Sequence, residues 1–255
     1  MGQTSLDIFS GIILVAVGVI SGFLNVAAGG GSLLTLPMMI FMGLTPNFAN
    51  ATNRVAILMQ NVFAIRKFKT SGLVDGKYSI YLGLAAIPGA VLGALLAVDI
   101  KGELFARILS VVMIIVGVTI LMGKTRLAIR KKESDAIRAN WISISSFFLI
   151  GIYGGFIHAG VGFIIILALE LLGHSSMAKI NSIKVIVAFI YTLTVVLVFA
   201  IGNVINWKYG LTLAIGTSIG GWLGSYFSIK KEDKWIKRLL FLTILGLSIK
   251  LWFYH

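Results

Sequence analysis

The chain has 255 residues, 58% of them hydrophobic and 12% charged, with a mean hydropathy of +0.99. A water-facing domain carries roughly twice that charge density, so a soluble enzyme is excluded and a bilayer protein is indicated. Its 22 Lys and Arg against nine Asp and Glu leave +13. In a soluble protein that excess would point to nucleic acid, but here almost all of it lies in three short runs between apolar stretches, where cytoplasmic loops meet anionic lipid headgroups. No nucleic-acid partner is expected. With no cysteine, disulfides and thiolate metal sites are ruled out, and no metal or cofactor is expected.

About 20 apolar residues cross the hydrocarbon, and basic loops with Gly and Pro interruptions divide the chain into ten segments. The first five are 6–26, 33–42, 50–65, 78–98 and 104–122; the second five are 141–157, 163–172, 178–200, 209–229 and 239–253. No basic residue precedes Arg54, so the first segment lacks the positive n-region of a signal peptide and is expected to be retained. Segments 33–42 and 163–172 reach only about half the bilayer, and each follows a glycine cluster. One membrane domain, 1–255, is expected.

Shifting the chain by about 131 residues superimposes its halves. Gly29 and Gly31 fall on Gly160 and Gly162, Lys77-Tyr78 on Lys208-Tyr209, Gly89 and Gly93 on Gly220 and Gly224, and Arg107 on Arg238. Chance matching among apolar helices competes with duplication, but the matches share one register from end to end. Repeat one then covers about 6–123, a cytoplasmic linker 124–138, and repeat two 139–255.

Charge decides the relative orientation of the copies. The runs 66–77, 124–138 and 230–238 hold four, six and five basic residues, and the loop after Ala200 only Lys208. If each short segment doubles back, every repeat has five elements and the second is inverted; all four loops then obey the positive-inside rule, with the N-terminus outside. The expected fold is an all-α, polytopic membrane bundle of two inverted-topology repeats with short half-helices after Gly-rich segments, a secondary-transporter plan.

The first cluster reads Asn25-Val26-Ala27-Ala28-Gly29-Gly30-Gly31-Ser32, and the second His158-Ala159-Gly160-Val161-Gly162. Irregular backbone at membrane depth requires protein or water to satisfy its amides, and free N–H groups at a helix start attract anions. Gly29, Gly30, Gly31, Gly160 and Gly162 are therefore candidates for a backbone anion site, with close packing as the competing role. For Gly216, Gly220 and Gly224 packing is expected.

After each short segment comes a helix with one polar face. Asn50, Arg54 and Asn61 stand at offsets 0, 4 and 11, within about 40° of one another at ~100° per residue, flanked by Asn53 and Gln60; this wall is expected to be wet. In the other copy Asn181 and Thr192 are eleven apart, beside Lys184 and Tyr191. Arg54 and Lys184 are nearly equivalent. A basic residue inside a membrane helix marks a path or a pair, or snorkels to the interface. Two cations facing one site would give a small oxyanion charge and donors, with Asn25, Ser32, Asn53, His158 and Asn181 as neutral donors around it. Glu170, the only acid well inside an apolar run, is a candidate for proton coupling or an interfacial residue. His158 either binds an anion or titrates, or bonds the backbone. No HExxH, G-x-S-x-G or P-loop is present, so no enzymatic activity is expected.

Gly29–Pro37 (Gly-Gly-Gly-Ser-Leu-Leu-Thr-Leu-Pro), Gly43-Leu44-Thr45-Pro46 and Ala51-Thr52-Asn53-Arg54 resemble the first half of the TauE/SafE family, and the similarity extends over nearly the whole chain. His158–Gly162 with Asn181–Lys184 looks like a weaker second-half counterpart, in which Ala168 stands where Pro37 would recur. The resemblance implies a multi-pass inner-membrane permease with duplicated halves that exports sulfite, sulfoacetate or related organosulfonates. Two other readings stay open. One is a membrane assembly protein whose polar stripes only bind helices together, and the other is a cation- or proton-coupled carrier using Glu170.

Overall fold

The computed structural model describes residues 6–122, 140–173 and 176–230; the expected segment 239–253, the linker 124–138 and the basic run after Lys230 lie outside them. Among the described residues every regular element is a helix: α1 (Ile8–Ala28), α2 (Ser32–Phe41), α3 (Pro46–Thr70), α4 (Gly76–Asp99), α5 (Gly102–Met122), α6 (Trp141–Phe156), α7 (Val161–Leu171), α8 (Met177–Ile201) and α9 (Trp207–Lys230). Their starts carry ordinary capping chemistry. Asp7, Asp75, Asn140 and Ser176 each accept a bond from a first-turn amide of α1, α4, α6 and α8, and Pro46 stands at the N-terminal position of α3 where its missing N–H costs nothing.

The sequence α1 to α4 recurs as α6 to α9. Helices α3 and α8 have 25 residues each and α4 and α9 have 24; each pair starts 131 residues apart. Packing is reciprocal as well. The most extensive interfaces are α1 with α9 and α4 with α6, followed by α3 with α9 and α4 with α8, with α3 against α8 between them. Each half thus lays its first and third helices on the fourth helix of the other.

Glycine makes those approaches possible. A Cβ on Gly89 or Gly93 would strike the α6 carbonyls of Phe148 or Ile152, and one on Gly216 or Gly220 would strike the α1 carbonyls of Val15 or Val19. Gly224 meets Phe23 in the same manner. Gly216, Gly220 and Gly224 are packing residues, as their spacing predicts.

Helix α1 ends because Gly29 adopts φ 91°, and its N–H returns to the carbonyls of Leu24 and Asn25. The chain then reverses. Ser21 Oγ donates to the Gly31 carbonyl at 2.9 Å, although Ser21 lies seven residues, or about 10 Å of helix, before Ala28. In the second half α6 stops at Phe156, Gly160 takes φ 73°, and Tyr153 Oη donates to the Ala159 carbonyl.

Helices α1, α4 and α8 are long and apolar enough to cross a membrane. The outer surfaces of α4 and α9 are apolar. Leu84, Leu92 and Leu96 on α4 and Leu211, Ile215 and Ile219 on α9 are exposed, a distribution suited to lipid rather than water. The α3 wall differs from expectation: Asn50, Asn53, Arg54, Gln60 and Asn61 are all buried. It faces the protein interior, because α8 and α9 close over it.

Candidate functional site

The two glycine turns touch. A Cβ on Gly29 would come within 2.5 Å of the Gly162 carbonyl carbon and 2.7 Å of the Phe163 nitrogen, and one on Gly162 would strike the Gly29 backbone. The broken helices of the two halves therefore cross main chain to main chain, and a buried polar centre forms around the crossing.

Arg54 of α3 is 0% exposed. Nη1 donates to the Gly154 carbonyl at 2.5 Å and to His158 Nδ1 at 2.8 Å; Nη2 donates to the Gly155 carbonyl at 3.1 Å and to Asn50 Oδ1 at 3.3 Å. Gly154 and Gly155 end α6, so the guanidinium sits on free carbonyls at the negative end of a helix dipole. Lys184 of α8, 3% exposed, does the same for α1. Its Nζ donates to the Asn25 and Val26 carbonyls at 3.1 and 2.8 Å and to Asn181 Oδ1 at 2.7 Å. Neither cation reaches for a headgroup, so snorkelling is excluded for both.

An asparagine completes each cap. Asn50 Nδ2 donates to the Phe156 carbonyl at 2.9 Å while its Oδ1 receives Arg54. Asn181 Nδ2 donates to the Ala27 carbonyl at 3.4 Å while its Oδ1 receives Lys184. The third helix of each half thus carries an Asn–cation pair that satisfies the broken helix of the other half.

His158 is oriented by this network. A guanidinium can only donate, so Nδ1 is an acceptor and the neutral ring carries its proton on Nε2; Tyr191 Oη lies 3.0 Å from the same Nδ1. Gly154 leaves room for Tyr191, whose Oη would be 3.2 Å from a Cβ there.

Beside the crossing lies a cavity lined by Asn25, Gln60, Asn61, His158, Val161, Gly162, Ile165, Lys184, Val185, Ala188 and Tyr191, with about 10 Å³ open to the centre of a water-sized sphere, room for about one water. Of the sequence-derived candidates it brings together Asn25, His158, Gly162 and Lys184. Arg54 stands one residue back, behind His158. Ser32, Asn53, Asn181 and Glu170 do not line the cavity: Asn53 Oδ1 accepts from Thr35 Oγ1 at 2.8 Å, Asn181 is engaged as above, and Glu170 is half-buried on α7. Gly30 is buried in the turn, where Gly31 abuts the Ser21 carbonyl and Asn25. A Cβ on Gly160 would meet Val116 at 2.8 Å. Gln60 and Asn61 do line the cavity. Their place on the polar face of α3 was the only sequence signal for them.

A polytopic helical bundle whose paired broken helices meet at a buried, cation-bearing centre is the architecture of a membrane transporter. The chain belongs to the sulfite exporter TauE/SafE family, whose model matches residues 14–251, and it is a membrane transporter of that type. It is 27% identical to probable membrane transporter protein ORF9 of Sinorhizobium sp, over 91% of this chain and 88% of that one. To probable membrane transporter protein YfcA of Escherichia coli K12 it is 26% identical, over 94% and 88%. A probable membrane transporter protein of Haemophilus influenzae is 25% identical, over 94% and 93%. No solved structure matches it significantly.

Proposed function

We propose that the protein is a secondary transporter that exports small anions, sulfite or organosulfonates, across the cell inner membrane, holding the anion between two inverted repeats near the bilayer midplane. Its N-terminus faces outside. The observation that carries this reading is the pair of buried cations, one from each half, whose hydrogen bonds end on carbonyl, amide and imidazole acceptors and on no carboxylate.

The charge balance supports an anion. Each cation faces a helix C-terminus worth roughly −0.5 charge, so the crossing keeps roughly +1 in total. In a dry interior a mobile anion is the natural complement. A cavity with room for about one water is too small for a four-atom sulfur oxyanion, so loading requires the halves to part, as rocking of repeats about a fixed site would allow.

The test is efflux from proteoliposomes loaded in turn with labelled sulfite, sulfoacetate and chloride. Sulfite or sulfonate flux that disappears in Arg54→Gln and Lys184→Gln is the expected result. Flux of none of these anions, or wild-type flux in both variants, overturns the reading.

A further inference from the structure

We propose that Gln60 and Asn61 are the selecting donors of the central cavity, recognising the oxygen atoms of an oxyanion while Arg54 and Lys184 supply charge. The inference rests on the anion-transport reading and adds to it the residues that separate an oxyanion from a halide.

Donor accounting leads to this pair. All three Nζ hydrogens of Lys184 have acceptors, and so do the four Nη hydrogens of Arg54, which leaves only its Nε–H without one. Arg54 does not line the cavity at all. The cations are therefore committed to the broken helices and have little left with which to grip a ligand. Gln60 and Asn61 are the opposite case. They are 1% and 2% exposed, both line the cavity, and Gln60 Nε2 and Asn61 Nδ2 have no hydrogen-bond partner. Buried amide donors are ordinarily paired, so two adjacent unpaired ones facing one cavity mark the place of an absent acceptor.

The position of Gln60 is enforced from outside. A Cβ on Gly221 of α9 would stand 2.6 Å from Gln60 Cγ, so the missing side chain there is what lets Gln60 lie where it does. The pair also has no copy in the second half. The positions 131 residues on are Tyr191 and Thr192, of which Tyr191 lines the cavity beside His158. Recognition is thus one-sided although the charge is contributed from both sides. A site built of such donors suits a ligand with several acceptor oxygens and disfavours one that leaves them unpaired.

Calorimetric titration of the full-length protein in detergent, in gluconate buffer, with sodium sulfite and separately with sodium chloride tests this. Gln60→Met and Asn61→Leu are expected to weaken sulfite binding at least tenfold and chloride binding less than threefold, whereas Arg54→Gln weakens both. Asn61→Thr, which copies the other half, and Gly221→Ala, which displaces Gln60 without removing it, give the same direction with smaller loss and guard against misfolding of the larger changes. Unchanged sulfite affinity in the Gln60 and Asn61 variants, or equal loss for both anions, overturns the assignment alone. A wild-type protein that binds neither anion overturns the transport reading and this inference with it.

Discussion

Replacing Lys184 with methionine removes the cap from α1 while nearly preserving volume. The Val26 carbonyl and the Asn181 amide oxygen lose this donor, and the Asn25 carbonyl keeps only the Gly29 N–H. Leaving a buried acceptor unpaired costs about 1–3 kcal/mol each, a gross penalty of several kcal/mol. Against it stands relief from burying an ammonium, itself several kcal/mol. A hydrogen bond to a charged group is worth about 1.5–3 kcal/mol net, so losing these bonds, offset in part by that relief, is expected to destabilise the fold by about 3 kcal/mol. For a chain of this length that corresponds to a melting temperature lower by roughly 6–12 °C. Thermal melts in detergent, followed by tryptophan fluorescence, measure it. Lys184→Arg, which keeps charge and donors, should fall by less. A methionine variant as stable as wild type, with undiminished sulfite affinity, would show that neither the capping nor the charge of Lys184 matters, and the electrostatic argument for the crossing would fail.

Arg54→Gln is expected to weaken sulfite binding more than Arg54→Lys, since lysine keeps the charge and loses only the fork that spans two carbonyls and an imidazole; titration of the two variants side by side decides it, and equal affinities would refute it. Gly162→Leu should abolish transport, because even its Cβ would strike the Gly29 backbone; wild-type flux with normal membrane insertion would show that the crossing is dispensable. Single cysteines at Lys69 and Asn203, both exposed, should label from opposite faces of right-side-out vesicles, the first from the cytoplasm and the second from outside. Labelling from one side would break the inverted-repeat proposal.

The helix interruptions are legible because the glycine clusters around Gly29 and Gly160 stand out in the sequence, and the 29–37 and 51–54 motifs carry the family resemblance. The polar face of α3 was equally plain from its spacing. What that spacing could not show is where the face points its bonds. The acceptors for Arg54 and Lys184 are main-chain carbonyls about 100 and 158 residues away, and a carbonyl looks the same at every position of a sequence. For the same reason the sequence favoured Ser32, Asn53 and Asn181 as ligand donors over Gln60 and Asn61: all are polar residues on suitable faces, and only the three-dimensional structure shows that the latter two line the cavity and the former three do not. The basic runs at 124–138 and after Lys230, on which the orientation of the halves was argued, lie outside the described residues.

The reciprocal caps bear on how the chain is made. When α1 enters the bilayer, the residues whose side chains cap its Val26 and Ala27 carbonyls, Lys184 and Asn181, have not been synthesised. Open carbonyls in hydrocarbon cost several kcal/mol each, so the α1 turn must stay hydrated or provisional until α8 arrives, whereas the α6 turn meets an Arg54 already in place. Biogenesis is therefore lopsided even though the finished halves match: an isolated N-terminal half would carry a buried guanidinium without its carbonyls and a helix end without its ammonium. Neither half is a self-sufficient unit: each supplies the cation that caps the other's broken helix.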